Sequence, residues 1–223
     1  MLTLSHRGYH EQLPENTMDA FSAALGLGVD GIETDVRLSS DGFPILYHDR
    51  FSPCGRPVAA LTRAELEKQT GHPVAVLQEA LGAWDQPLWN IEIKTPSAVP
   101  AVIDVLTRFK KTHRLLVTSF FHGLLLPFAS GLGVDCGVIS AHQPVDASQF
   151  LAQIRQMHPK IVAAVWSFEL LCGDVCDAAR ENRLLSFVYD VSNRSDLRAC
   201  EELAVDGVIM DRPETAAVGS SSA

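Results

Sequence analysis

Short apolar runs alternate with stretches of helical periodicity along the whole chain. The runs Leu2–Ser5, Gly31–Val36, Leu88–Ile93, Leu115–Ser119, Cys136–Ser140, Ile161–Trp166, Leu184–Tyr189 and Gly207–Met210 are rich in Val, Ile and Leu. Several are continuous rather than alternating, which marks strands buried on both faces, as in a parallel sheet. Helices with recognisable starts lie between them. Asn16 or Thr17 caps one that reaches about Leu27, with Phe21, Ala24 and Leu25 on one face. Ser97 precedes a helix carrying Val102, Ile103, Leu106 and Phe109. Asp146 caps one carrying Phe150, Leu151, Ile154 and Met157, which His158-Pro159 ends, and Ser195 opens another carrying Leu197, Cys200 and Leu203. Eight strands in 223 residues give about 28 residues per unit, the size of a βα unit in a closed barrel. The pattern predicts one α/β domain over residues 1–223, a TIM-type (β/α)8 barrel. A doubly wound open sheet is the alternative, but no Gly-x-Gly-x-x-Gly follows the first strand, and Gly26-x-Gly28 falls at a helix end.

One place breaks the rhythm. After Gly31–Val36 comes the turn Ser39-Ser40-Asp41-Gly42, and then a second apolar run, Phe43–Tyr47, which together read as a hairpin. Residues 49–76 form an irregular insertion after strand 2, with one helix opened by the capping box Thr62-x-x-Glu65. An insertion in a βα loop lies on the active-site face of such a barrel, so substrate selection is expected there. Residues 215–223 are expected to form a flexible tail.

Composition narrows the function. Apolar residues make up 47% of the chain and charged residues 20%, a globular balance. The net charge is −9 and no basic patch is visible, which argues against a nucleic-acid partner and against stable association with an anionic membrane. No apolar run reaches the roughly 18 to 20 residues of a membrane helix; the longest are Gly123–Phe128 and Ile161–Trp166. Five cysteines without a disulfide rhythm, and no signal-like N-terminal stretch, point to a reducing, cytoplasmic location. Cys172 and Cys176 have the spacing of half a zinc site, but no second pair accompanies them. Homo-oligomerisation is left open.

Three polar clusters interrupt the apolar strand ends: His6-Arg7-Gly8, Glu33-Thr34-Asp35 with His48-Asp49, and Glu92-Ile93-Lys94. Side chains two apart on a strand share a face, so Glu33 and Asp35 point together, as do Glu92 and Lys94. A carboxylate inside a barrel is costly unless it is paired or binds metal. Three of them against Arg7 and Lys94 leave a gap suited to one hard divalent cation, Mg²⁺ or Ca²⁺, with Mn²⁺ also compatible with oxygen ligands. A salt-bridge network closing the barrel is the competing reading. His6 and His48 sit beside these clusters and are the acid/base candidates. The other histidines read as structural. Together these parts describe phosphodiester cleavage, with Arg7 and Lys94 on phosphate and the histidines moving protons.

The chain resembles the glycerophosphodiester phosphodiesterase family. His6-Arg7-Gly8 with Pro14-Glu15-Asn16-Thr17 is similar to that family's opening signature, and Gly31-Ile32-Glu33-Thr34-Asp35-Val36 to its metal-binding strand. Asp41-Gly42 leading to His48-Asp49 resembles its second histidine motif, and Asn90-Ile91-Glu92-Ile93-Lys94 its third-ligand strand. Ser119-Phe120 and Asp206-Gly207-Val208-Ile209-x-Asp211-Arg212-Pro213 are similar to later motifs. The resemblance runs from Met1 to about Glu214. It implies a TIM-type barrel enzyme of lipid and glycerol metabolism that hydrolyses small glycerophosphodiesters to an alcohol and glycerol 3-phosphate. Carried over by position, the metal ligands are Glu33, Asp35 and Glu92, the catalytic pair is His6 and His48, and Arg7 and Lys94 bind phosphate. His6 is the preferred acid and His48 the preferred base.

The chain departs from the family pattern at Arg50–Gly55, at Phe187-Val188-Tyr189-Asp190, and at Met210. These positions bear on the substrate, for which Phe120, Trp166 and Phe187 are candidate apolar contacts. Glu15 and Asn16 shape a loop and cap a helix, or brace the site. Two other readings keep the same fold: a lysophospholipase D-like phosphodiesterase, and a barrel that binds phosphodiesters without turnover.

Overall fold

A computed structural model describes residues 1–217. In chain order its elements are β1 (Leu2–His6), α1 (Met18–Gly26), β2 (Gly31–Leu38), β3 (Pro44–Leu46), α2 (Arg63–Thr70), α3 (Leu77–Ala83), β4 (Leu88–Ile93), α4 (Val99–Phe109) and β5 (Arg114–Ser119). Then come β6 (Asp135–Ser140), α5 (Ala147–Met157), β7 (Ile161–Ser167), α6 (Gly173–Glu181), β8 (Leu185–Tyr189), α7 (Arg194–Glu202), β9 (Gly207–Met210) and α8 (Glu214–Ala217). Eight parallel strands run in the order β1-β2-β4-β5-β6-β7-β8-β9, and β9 pairs back to β1, which closes the barrel. The expected TIM-type barrel is therefore what the chain forms.

The runs that read as continuous are buried twice. On β4, Trp89, Ile91 and Ile93 pack outward against the helices, while Leu88, Asn90 and Glu92 face the barrel axis. Leu4, Leu116, Ile139, Ala163, Val165, Phe187 and Ile209 fill the interior. At about 25 cal/mol per Å² of apolar surface, these two layers hold the strands in place. Phe187 leans over Gly207, where a Cβ would stand 2.4 Å from its ring, so only glycine fits.

β3 is antiparallel to β2 and extends the hairpin above the barrel, and residues 49–76 follow it. It carries a small core of its own, made by Ile45, Val58, Leu61, Leu66, Val74 and Val76. The Thr62–Glu65 capping box opens α2, as expected. α7 starts earlier than Ser195. Asn193 accepts from the backbone N–H of both Ser195 and Asp196, and so caps the helix two residues before Ser195. Between β5 and β6 the chain makes short 3-10 and π turns over His122–Leu125 and Pro127–Leu132 instead of an α-helix. Of the expected tail, Glu214–Ala217 forms a helical turn, and 218–223 lie outside the described residues.

Candidate active site

Strand register brings the polar clusters together. His6 is paired across β1–β2 with Glu33, and Asp35 across β2–β4 with Glu92. The alternation that puts Glu33 and Asp35 on one face aims both at the axis, so the three carboxylates converge: one oxygen from each of Glu33, Asp35 and Glu92 lies within 4.8 Å of the others. Their side chains come from three buried residues, 5%, 1% and 8% exposed. Among the described residues this is the one such group of three or more candidate metal ligands, so Cys172 and Cys176 acquire no partners.

The counter-charges are unevenly shared. Lys94 Nζ lies 3.3 Å from Asp35 Oδ1 and 2.8 Å from Glu92 Oε1. Arg7 Nε lies 3.1 Å from Asp35 Oδ2, and its Nη1 donates to Glu15 at 2.9 Å. Burial opposes ionisation of Asp35, but Lys94 and then Arg7 outweigh it and hold its carboxyl below the usual range. Glu33 has no such ion pair with a lysine or arginine side chain; the Arg7 backbone N–H donates to its Oε2 at 3.3 Å, and His6 Nε2 lies 3.8 Å away. Burial first, then Asp35 and Glu92, push the Glu33 carboxyl well above its ordinary value, and burial with Asp35 pushes Glu92 up as well. Ion pairing thus satisfies Asp35 and leaves a surplus of negative charge at Glu33 and Glu92. An all-oxygen, buried, under-neutralised set fits a hard divalent cation.

Both histidines are held through Nδ1 by a carboxylate. His6 Nδ1 is 2.6 Å from Asp211 Oδ1, and His48 Nδ1 is 2.9 Å from Asp49 Oδ1. Such a bond fixes the ring and leaves Nε2 for the substrate. The Arg37 Nε–H donates to the His48 carbonyl at 2.8 Å and anchors that loop to β2. Asn16 braces the other side. Its Nδ2 donates to Asp35 Oδ2 at 3.1 Å, while its Oδ1 accepts from the Thr34 hydroxyl and the Asp35 N–H. Asn16 and Arg7 both sit at φ 56, a left-handed backbone that non-glycine residues adopt at a cost of about 1 to 3 kcal/mol. Gly8, at φ 79, lets this loop pass α1: a Cβ there would meet the Ala20 carbonyl carbon at 2.7 Å.

A cavity of about 120 Å³ opens over these groups, lined by His6, Arg7, Glu33, His48, Glu92 and Lys94 on one side and by Phe120, Ile139, Val165, Tyr189, Asp190 and Ile209 on the other. Of the three candidate apolar contacts, Phe120 lines this cavity. Trp166 and Phe187 do not line it. Trp166 has the opposite strand parity to Val165, so it points into the helix layer against Phe150. Phe187 does face the axis, but one layer down, and its ring borders a second cavity at the opposite end of the barrel. The sequence assigned no site role to Asp211 or Arg37, and marked Tyr189 only as part of the departing stretch Phe187–Asp190. Asp211 was visible in the Asp211-Arg212-Pro213 motif, whereas Arg37 carries no signal beyond its place in a strand.

A model of the glycerophosphoryl diester phosphodiesterase family matches residues 6–122. The chain is 30% identical over 240 residues to a glycerophosphodiester phosphodiesterase of Bacillus altitudinis, covering 95% of each, and 28% identical over 244 residues to one of Caldanaerobacter subterraneus subsp. tengcongensis, covering 96% of this chain and 95% of that one. Its structure is similar to that of the Thermotoga maritima glycerophosphodiester phosphodiesterase, with a TM-score of 0.83 at 26% identity and 96% of each chain covered. An Oleispira antarctica phosphodiesterase, in complex with the product sn-glycerol-3-phosphate, shares the fold with a TM-score of 0.85 at 19% identity, covering 99% of this chain and 97% of that one. No helix among the described residues is long and apolar enough to cross a membrane. With its barrel, its matching family model and relatives aligned over nearly its whole length, the chain belongs to the glycerophosphoryl diester phosphodiesterase family and is an enzyme of that class.

Proposed function

We propose that this enzyme hydrolyses small glycerophosphodiesters to an alcohol and glycerol 3-phosphate, with one divalent cation held by Glu33, Asp35 and Glu92 and with His6 and His48 as the acid/base pair. The observation that carries the reading is the buried carboxylate triad, under-neutralised at Glu33 and flanked by two carboxylate-held imidazoles. A bound Mg²⁺, Ca²⁺ or Mn²⁺ would neutralise a non-bridging phosphate oxygen and polarise the phosphorus centre.

The chain's own groups do the rest. Lys94 and Arg7 place fixed positive charge where the phosphate gains negative charge in the transition state. The P–O bond to the departing alcohol breaks, and an alkoxide is a poor leaving group, so a proton must reach it. His6, held through Nδ1 by Asp211 and with Nε2 turned to the triad at Glu33, is the acid that supplies this proton. His48, paired only with exposed Asp49, accepts the proton of the attacking oxygen. The cavity over these groups is small, about 120 Å³, which suits a small phosphodiester headgroup.

The test is product identification. Purified protein incubated with glycerophosphocholine and added Mg²⁺ should release glycerol 3-phosphate and choline. A Glu33→Ala variant with unchanged fold should lose that release. Phosphocholine as the product, or full activity in the variant, would overturn the reading.

A further inference from the structure

The wall facing the catalytic charges carries one charged group, Asp190. It directly follows β8, is exposed, and has no ion-pair partner among the described residues; the Ser167 hydroxyl donates to its Oδ2 at 3.2 Å. Its backbone sits at φ 61. Two other non-glycine residues with positive φ, Arg183 and Ala204, end helical stretches at the far end of the barrel, where such turns are routine. Asp190, like Arg7 and Asn16, adopts this backbone at the mouth. Beside it stands Tyr189, whose phenol is pushed up by burial and then by the negative charge of Asp190. Phe120 meets Tyr189 edge to face, with centroids 6.5 Å apart. Two aromatic rings and one unpaired carboxylate on the rim of a catalytic cavity match the chemistry of an alkylammonium group: ring faces attract it and the carboxylate neutralises it.

We propose that Tyr189, Asp190 and Phe120 form the subsite for the departing alcohol and select diesters whose alcohol carries an ammonium group two carbons from the ester oxygen, choline or ethanolamine. The proposal rests on the hydrolysis proposed above. With phosphate held at the β1, β2 and β4 side, a substituent on the His6 side reaches β9 and β8, because β1 and β9 are neighbours in the barrel. Lys94 Nζ stands 5.9 Å from the Phe120 centroid, but its charge is directed to Asp35 and Glu92, and Asp190 is left to balance the ligand.

The experiment compares glycerophosphocholine with bis(glycerol) phosphate, whose leaving alcohol is neutral, in the full-length protein and in Asp190→Asn. Asparagine tolerates positive φ, so the turn is kept. Loss of one partly exposed charge contact should raise KM for glycerophosphocholine about 5-fold and leave kcat for both substrates and KM for bis(glycerol) phosphate within about 2-fold. Asp190→Lys should widen the gap to about 10-fold or more, and Tyr189→Leu should shift the same ratio in the same direction. An equal loss on both substrates would overturn the proposal and place the shared glycerol on this wall. No change on either would overturn it as well. If neither substrate is turned over, the hydrolysis reading fails separately, and calorimetric binding of the same two diesters to wild type and Asp190→Asn decides the subsite: a 5-fold weakening confined to glycerophosphocholine supports it, and any other pattern refutes it.

Discussion

The barrel wall built by β1, β2 and β4 and the wall built by β5 to β9 enclose one cavity with opposite chemistry. The first places three buried carboxylates, a lysine, an arginine and a histidine at strand ends. The second presents Phe120, Ile139, Val165, Tyr189 and Ile209, with Asp190 as its single charge. On the first wall each polar side chain opposes folding in isolation, because a buried charge must find a partner. On the second, the same strand positions hold apolar groups that stabilise the barrel by being there. The difference teaches that the costly buried charges are gathered on one wall, while the opposite wall is free to combine packing with an open cavity surface.

The sharpest way to break this contrast is to remove the two histidines proposed as the acid/base pair. His6→Ala and His48→Ala should each lower kcat by about 10²- to 10⁴-fold with little change in melting temperature, measured by product release and calorimetry. A comparable loss from an apolar-wall variant such as Ile139→Val would show that the two walls are not distinct. Phe187→Ala should do the reverse. Deleting a ring packed on Gly207 should cost about 3 to 5 kcal/mol in chemical denaturation, and leave KM nearly unchanged in the folded fraction. Phe120→Ala, at 41% exposed, should change KM more than stability.

Much of the first wall was legible in the sequence, and the reason is physical. Glu33, Asp35 and Glu92 interrupt apolar strands, and the two-residue period puts Glu33 and Asp35 on one face; their meeting with Glu92 needed the β2–β4 register, which pairs Asp35 with Glu92. The barrel was legible for the same reason, through eight continuous apolar runs. The second wall was not. An aromatic residue in an apolar run is equally at home facing the axis or the helices, and nothing in the letters distinguishes Trp166 from Val165. Phe187 had the right parity and the wrong height, which depends on the stagger of the strands. Asn193 displaced Ser195 as a cap because two good caps lay side by side.

Asn16 offers a finer test, since it touches Asp35 without reaching the substrate. Asn16→Ala should reduce kcat by about 10- to 100-fold and weaken the response to added Mg²⁺, the cost of losing a group that orients a ligand. An unchanged metal response would assign Asn16 to loop structure alone.

The smallest effect expected separates the carboxylates from one another by pH. The raised carboxyl of Glu33 binds its proton more tightly in the fold than in the unfolded chain, where the ordinary value is 4.5. Its contribution in metal-free protein is therefore most favourable below about pH 4.5 and is lost as pH rises through the raised value. Asp35, held below its ordinary 3.8, contributes stability above that pH and loses it on acidification. In chelator at pH 7, Glu33→Gln should raise the melting temperature by about 2 to 4 °C, roughly 1 kcal/mol, and Asp35→Asn should lower it. The Glu33→Gln gain should vanish near pH 4.5. Equal shifts of one sign would mean that Lys94 and Arg7 neutralise the triad evenly.

The central claim is that the triad works as a cation site. It is tested most directly by stripping the protein with chelator and following glycerol 3-phosphate release from glycerophosphocholine as Mg²⁺, Ca²⁺ or Mn²⁺ is titrated back. The account predicts no release without metal, saturable recovery with at least one of the three ions, and no recovery in Glu92→Gln. Undiminished release from stripped protein would contradict it.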